Sequence, residues 1–589
     1  MKLVESQTLR ARWVSCLSVF LVIVLGYGAA LGFDFINYDD PEYITENVHV
    51  NRGLSVENTK WALTSVGRVN LWHPLTYFSH QLDVSLFGLN PKGHHAMNVL
   101  LHSLAGVFLY LLITQLTKSR WLPLIIVAIW AFHPQRVQSV AWLSERKDVL
   151  SGVFFFITLY CFTRWLKGRK EGYYWLSLAS FVLALLSKPS VVSLPFILVG
   201  IYCLFYKEKL SWKGLFARLI PFFTFSVLTA MVTMYFQSQG GLSGLSDGMG
   251  STDYFAKILL SFSFYIERFL SPTTHQLWFY PDLSTKSIII SAAVSLVSVV
   301  LVLLVARKSK LVSFGALWYL VMWLPVSGIV PLSYYFRADR YSYLPQIGLI
   351  FVLAGMLIIV SQKWPAVSKL AIAGAGLAMG CLVLLQQTHL RLWQNNQTLF
   401  KHEMTVNPRS LLAPIHYAQS VERDQPLIAL GYYTKAHLID KESGLALTNM
   451  GVIYEKQGML TEAVSCYRKA TQTAVQDQEC WVRLIDLLTR EGESENVEKY
   501  ITTSLELYPN SKDLMLAAAR YFYGVKRDAE SALVYYRKLY AMNMRCSAFI
   551  KDYAIVAYTA GHKKEAKELF LLLPLVERNH PAIKAILDE

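Results

Sequence analysis

The chain has 589 residues, 54% hydrophobic and 16% charged, with a formal net charge of +15. Soluble domains carry about 25% charged residues, so a wholly water-soluble protein is excluded. Lys and Arg outnumber Asp and Glu by 31 to 17 through residue 390 and by only 25 to 24 after it. The basic excess therefore belongs to membrane loops and speaks against nucleic acid as a partner.

Apolar runs of roughly the 20 residues that a helix needs to span a bilayer recur through the first part. They fall at 12–33, 96–117, 121–138, 148–166, 173–187, 190–206, 214–236, 287–306, 311–331, 346–361 and 370–388, which predicts about eleven crossings. The first run has no small-residue cleavage site before Asp34 and is expected to stay as an anchor. Lys and Arg concentrate at the N-terminus (Lys2, Arg10, Arg12), at 164–170, at 207–213 and at 307–310. Those loops are expected on the cytoplasmic side. The stretch 237–253, rich in Gly and Ser and free of Lys and Arg, is expected outside. Residues 254–270 carry Lys257, Glu267 and Arg268 in an otherwise apolar helix and read as interfacial or re-entrant. Eleven crossings from a cytoplasmic N-terminus place everything after about Leu390 outside.

The external loop 34–93 holds seven of the membrane part's 17 acidic residues, too long and too polar for a mere connector. It contains Asn37-Tyr38-Asp39-Asp40-Pro41, just beyond the first span. Adjacent carboxylates at the outer surface suit removal of a proton from a hydroxyl. They also suit a divalent cation held against a phosphate. Equally, Asp before Pro opens turns or caps helices.

Two basic clusters fall on the same side: His133-Pro134-Gln135-Arg136 through Glu145-Arg146-Lys147-Asp148, and Arg337-Ala338-Asp339-Arg340-Tyr341. A guanidinium presents paired donors that match phosphate oxygens; the plainer account is mutual neutralisation at a helix end or snorkelling to headgroups. His73, His80, His94, His95 and His102 are conspicuous. Without HxxxH or HExxH spacing, and with no CxxC pairing among the seven cysteines, interface or hydrogen-bonding roles are expected for them rather than metal binding. The GxxxxGK and GxGxxG patterns are absent.

In the soluble part a 34-residue offset pairs Ala429 with Ala463, Tyr433 with Tyr467, Ala436 with Ala470 and Leu447 with Trp481. That is the period of tetratricopeptide repeats. The clearest unit, Leu447, Met450, Gly451, Tyr454, Ala463, Tyr467, Ala470, places small residues where paired helices touch. Four to five repeats are expected, the later ones looser, forming a solenoid of the kind whose concave face binds peptide.

The chain resembles the membrane O-mannosyltransferases with C-terminal tetratricopeptide repeats, especially their bacterial relatives. The resemblance rests on Asn37-Tyr38-Asp39-Asp40, Trp72-His73-Pro74-Leu75, Gly93-His94-His95, His133-Pro134, the run from Val140 to Leu150, Ala338-Asp339-Arg340-Tyr341-Ser342-Tyr343-Leu344-Pro345, and Leu392-Trp393 through Thr398-Leu399-Phe400. The family looks like the GT-C class, inverting glycosyltransferases that use polyprenyl-phosphate sugars on the non-cytoplasmic side. The resemblance implies Asp39 or Asp40 as base and Arg340 as donor-phosphate ligand, assisted by Arg146 or Arg136, with Arg337 and Lys147 as further candidates. His73, His94, His95, Glu145, Asp339 and Tyr341 are candidates for substrate or interface contacts. Ser-Lys-Pro-Ser at 187–190 departs from the family pattern.

The expected fold is all-α: a polytopic GT-C-like domain (1–390) followed by an external tetratricopeptide-repeat domain (391–589). The expected activity is transfer of mannose or another hexose from a polyprenyl-phosphate lipid to Ser/Thr hydroxyls of exported protein, the acceptor resting on the repeats. A lipid-linked donor, an optional divalent cation but no resident metal, and a bacterial inner membrane complete the expectation. Transfer to a glycan or lipid, or a non-enzymatic membrane scaffold, are the alternatives.

Overall fold

The computed structural model describes residues 9–65, 72–239, 251–280, 282–329, 337–473, 478–492 and 496–588. The expected loop at 237–253 and the end of the 311–331 run lie largely outside the described residues, as do Asn70 and Leu71. All regular elements among the described residues are helical, in two compact units, 1–408 and 409–589.

Every apolar run expected to cross the membrane carries a helix. Seven of these, among the described residues, are long and apolar enough to span a bilayer, from Arg10–Gly32 to Gln346–Lys363. Of the other four expected runs, two fall short for a local reason. The run at 121–138 yields only Leu122–Phe132, because His133-Pro134 turns the chain, and the run at 311–331 yields Lys310–Trp323, closed off at Leu324-Pro325. Among the described residues, length and composition therefore leave the count of eleven unconfirmed. Thr285–Ala306 leaves Leu296, Val297, Leu303 and Leu304 exposed, as a lipid-facing helix must. Ser251–Leu270 is one-sided: Leu260, Phe264 and Tyr265 are buried while Phe255 is exposed.

Helices pack closely where glycine removes a side chain, the usual device in membranes. A Cβ on Gly315 would stand 2.5 Å from the Gly348 carbonyl oxygen, and one on Gly106 would stand 2.5 Å from Ile23 Cδ1. The segment carrying Arg340 is pinned to this bundle. Trp130 Nε1 donates to the Tyr343 carbonyl at 2.9 Å, Trp318 Nε1 donates to the Leu344 carbonyl at 2.8 Å, and the Tyr343 hydroxyl lies 2.9 Å from His102 Nδ1. The first unit continues past residue 390 through Asn396–Val406, where buried Glu403 accepts a 2.7 Å hydrogen bond from the Leu277 amide.

In the second unit helices pair from Leu412–Val421 with Pro426–Ile439 to Ser547–Thr559 with Lys563–Phe570, five hairpins among the described residues. The motif positions are the packing positions. A Cβ on Gly451 would stand 2.5 Å from the Tyr467 ring, and Ala463, Tyr467 and Ala470 are buried. A similar hydrogen bond recurs in the two repeats: Tyr433 donates to Glu422 at 2.8 Å, and Tyr467, 34 residues on, donates to Glu455 at 2.9 Å. The later repeats close the same way, with Ala532, Tyr536, Ala566 and Phe570 buried.

Candidate active site

The two adjacent carboxylates have different surroundings. Asp40 is fully buried and satisfied: Oδ2 accepts from the Ile36 amide at 2.8 Å, and Oδ1 accepts from the Ser144 amide at 3.0 Å and from the Ser144 hydroxyl. Burial raises its pKa to about 6 against the pull of those donors. Asp40 thus ties the first external loop to the turn at Leu143–Glu145. Asp39 is half-buried, and among the described residues no hydrogen bond reaches its carboxylate. Burial raises its pKa, opposed by the charges of Lys147 and Arg340 and reinforced by that of Glu145.

Those three residues belong to a dense charge cluster. Glu145 draws in Arg340 Nε at 3.0 Å, Lys147 Nζ at 3.2 Å and Lys188 Nζ at 3.5 Å. Lys188 also pairs with Asp148, which accepts a 3.0 Å hydrogen bond from the Ser139 hydroxyl. The Glu145 side chain is 2% exposed, whereas those of Arg340 and Lys188 are 10% and 12% exposed. Glu145 is the most enclosed member of the cluster. Burial would lower the pKa of Arg340, but Tyr341, Glu145, Tyr38 and Asp39 raise it overall, so the guanidinium stays charged.

Aromatic rings hold the cations in place. The Arg340 guanidinium lies over Trp142 and Tyr341, 5.3 and 4.9 Å from their centroids, Lys147 lies 4.6 Å over Tyr43, and Lys188 lies 5.7 Å over Tyr341. Tyr38, next to Asp39, stacks on Trp142 at 5.2 Å and meets Trp278 edge-on at 5.4 Å. His73 occupies the N-cap position of the Pro74–Phe87 helix, and its Nδ1 lies 3.4 Å from the Tyr43 hydroxyl. Burial, with Lys147 and Lys188, depresses its pKa, keeping the imidazole neutral.

The other sequence candidates hold the scaffold. Arg146 donates to Asp83 at 2.6 Å, to the His94 carbonyl at 2.9 Å and to Asn98. Arg136 donates to Ser342 and, at 3.0 Å, to Gln346. Arg337 donates to the Tyr280 carbonyl at 2.9 Å, and Asp339 is paired with Arg268 at 3.1 Å. His94 Nε2 donates to the Gly88 carbonyl at 3.0 Å, and His95 Nε2 is 3.5 Å from the Asp34 carbonyl. The structure thus brings together Asp39, Glu145, Lys147, Arg340 and Tyr341, and assigns Arg136, Arg146, Arg337, His94, His95 and Asp339 other contacts. Lys188, named in the sequence only within an unexplained motif, is a full member. Its signal was a lone cation between two apolar runs, which must find a partner.

The second unit has its own surface, a groove lined by Glu455, Arg483, Asp486, Arg490, Asp513 and Arg520. Arg490 pairs with Glu455, and Arg520 lies 3.7 Å from Asp486.

Fold and site define a multi-pass helical membrane protein with an acid–base cluster beside its first extramembrane loop, followed in the chain by a helical-repeat unit. Residues 73–235 match the family described as dolichyl-phosphate-mannose-protein mannosyltransferase, a range that includes Glu145, Lys147 and Lys188 but not Asp39 or Arg340. Protein O-mannosyl-transferase Tmtc1 of Drosophila melanogaster is 31% identical over 162 residues, covering 26% of this chain and 19% of that protein. Human protein O-mannosyl-transferase TMTC3 is 22% identical over 512 residues, covering 76% of this chain and 54% of that protein. Among solved structures, YrrB, described as a TPR protein with an unusual peptide-binding site, aligns with 32% of this chain and 98% of its own at 16% identity and a TM-score of 0.28. The chain is thus O-mannosyltransferase-like, and it spans about half or less of the length of these curated relatives.

Proposed function

We propose that the chain is an inverting glycosyltransferase that moves a sugar from a polyprenyl-phosphate carrier to Ser or Thr hydroxyls of protein outside the cytoplasm. The observation that carries this reading is the Asp39 carboxylate, engaged by no hydrogen bond among the described residues, in the field of Lys147 and Arg340, with Lys188 joined to them through Glu145. Asp39 takes the acceptor's hydroxyl proton. The freed oxygen bonds to the anomeric carbon, the bond from that carbon to the phosphate oxygen breaks, and its electron pair leaves with the phosphate. Arg340, Lys147 and Lys188 hold that phosphate. Charge is conserved within the site: as Asp39 loses its negative charge to the proton, the departing phosphate gains one next to the cations, where fixed donors stabilise it without reorganisation.

Asp40 serves as an anchor in this reading, since its oxygens are already engaged. The likeness to protein O-mannosyltransferases supports mannose as the sugar, and the repeat groove is read as the surface that presents the acceptor. The N-terminus is read as cytoplasmic, the repeats as external, and the membrane as a bacterial inner membrane, on the distribution of Lys and Arg and the motif resemblance. Intact-mass analysis of exported proteins from cells with and without the gene tests the activity. Hexose-sized mass losses confined to the deletion strain support it, and identical spectra oppose it.

A further inference from the structure

The helices Pro74–Phe87 and Pro91–Leu116 carry a second polar cluster. His80, Asp83 and His94 are all fully buried, and one ligating atom from each lies within 4.8 Å of the others. Several of their polar atoms lack any hydrogen-bond partner: both ring nitrogens of His80, Oδ1 of Asp83 and Nδ1 of His94. Burying so many unpaired donors and acceptors together is expensive, so something other than protein satisfies them.

The hydrogen bonds at the edge of the cluster fix which atoms are free. Because His94 Nε2 donates to the Gly88 carbonyl, the neutral ring carries its lone pair on Nδ1. That nitrogen lies 3.4 Å from Asp83 Oδ2, acceptor against acceptor. Protonating His94 would relieve the conflict, but the Arg146 guanidinium already binds the same oxygen at 2.6 Å and opposes a second buried cationic ring. A cation bound by the His94 Nδ1 lone pair and by the unpartnered Asp83 Oδ1 relieves it directly.

We propose that His80, Asp83 and His94 form a structural zinc site. Two imidazoles and one carboxylate are a nitrogen-rich donor set that suits zinc, whereas magnesium and calcium prefer all-oxygen shells. Tetrahedral zinc places its ligand atoms about 3.4 Å apart, which small side-chain rotations achieve from the observed spread. Asp83 bridges, with Oδ1 on the metal and Oδ2 on Arg146, while the Gly88 carbonyl holds His94 in the ligating tautomer. A water completes the fourth position. Through Arg146 the metal fastens the two helices to the segment that carries Glu145 and Lys147. Its role is to hold that segment, and the inference does not depend on the proposed transfer reaction.

Metal analysis of the full-length protein, purified in detergent without chelators, tests this. About one zinc per chain is expected, lost on His80→Asn and on His94→Gln, with a chelator lowering the unfolding temperature and zinc, but not magnesium, restoring it. His94→Cys guards against misfolding of those variants: loaded with cobalt, it should show a thiolate-to-cobalt charge-transfer band that the cobalt-loaded parent lacks. The proposal is overturned if the parent protein contains no stoichiometric zinc and its unfolding ignores added zinc, in which case the cluster is filled by water. It is also overturned if zinc content survives both His80→Asn and His94→Gln, or if the His94→Cys protein gives no such band.

Discussion

Arg340 Nε lies 3.0 Å from Glu145 Oε1, joining two segments far apart in the sequence at the point where Lys147 and Lys188 also converge. The guanidinium is held edge and face, by Glu145 and by the Trp142 and Tyr341 rings. A geometry so constrained is the kind that a planar fork exploits and an ammonium does not. Arg340→Lys should therefore retain the charge and the fold yet lower the transfer rate by roughly 10²-fold. Turnover measured at matched protein abundance checks this, and an unchanged rate would remove Arg340 from the phosphate site.

Glu403 supplies a pH dependence. Burial raises its pKa from 4.5 to about 7, against the hydrogen bonds from Leu277, Asn407 and Trp278. Between those values the folded protein keeps a proton that the unfolded chain has lost, so the native state is favoured at the acidic end and loses stability as pH rises from about 4.5 to 7. The full effect is up to about 3 kcal/mol. Glu403→Gln should flatten the dependence of unfolding temperature on pH across this window, and an unaltered profile would show that another group titrates there.

The repeats make a packing prediction. With a Cβ on Gly451 only 2.5 Å from the Tyr467 ring, Gly451→Val must push the paired helices apart at a cost of about 1–3 kcal/mol. Hydrogen exchange on the whole chain should quicken in Gly444–Lys456 and Leu460–Ala470 and stay unchanged in the first unit.

Much of this molecule was legible beforehand because it is written in periodicity. Small and aromatic residues at a fixed 34-residue offset can only be packing positions, and Gly451 against Tyr467 is that pattern in space. Apolar runs announced the helices, although His133-Pro134 and Leu324-Pro325 shortened two of them. The site was half legible. Asp39, Glu145, Lys147 and Arg340 were named, but a pair of adjacent aspartates looks symmetric in sequence. Only Ser144, distant along the chain, distinguishes them by occupying Asp40. Arg146 and Arg136 look as basic as Arg340, and it is Asp83, Ser342 and Gln346 that engage them. No local spacing announces such partnerships.

Topology is tested independently of chemistry. A reporter fused after Asn396 should be active only outside the cytoplasm, following the loop charges. Activity inside would separate the repeats from the side on which the proposed acceptor is presented.

The central claim is that Asp39 is the base and Asp40 its anchor, and paired substitution with a rate measurement tests it most directly. Asparagine keeps the shape of aspartate and loses its basicity, so Asp39→Asn should lower transfer by about 10²-fold to 10⁴-fold without changing the unfolding temperature. Asp40→Asn should instead lower the unfolding temperature, since its amide cannot accept from Ile36 and Ser144 with both atoms, and any fall in rate should track the loss of folded protein. Wild-type transfer by folded Asp39→Asn protein would contradict the account.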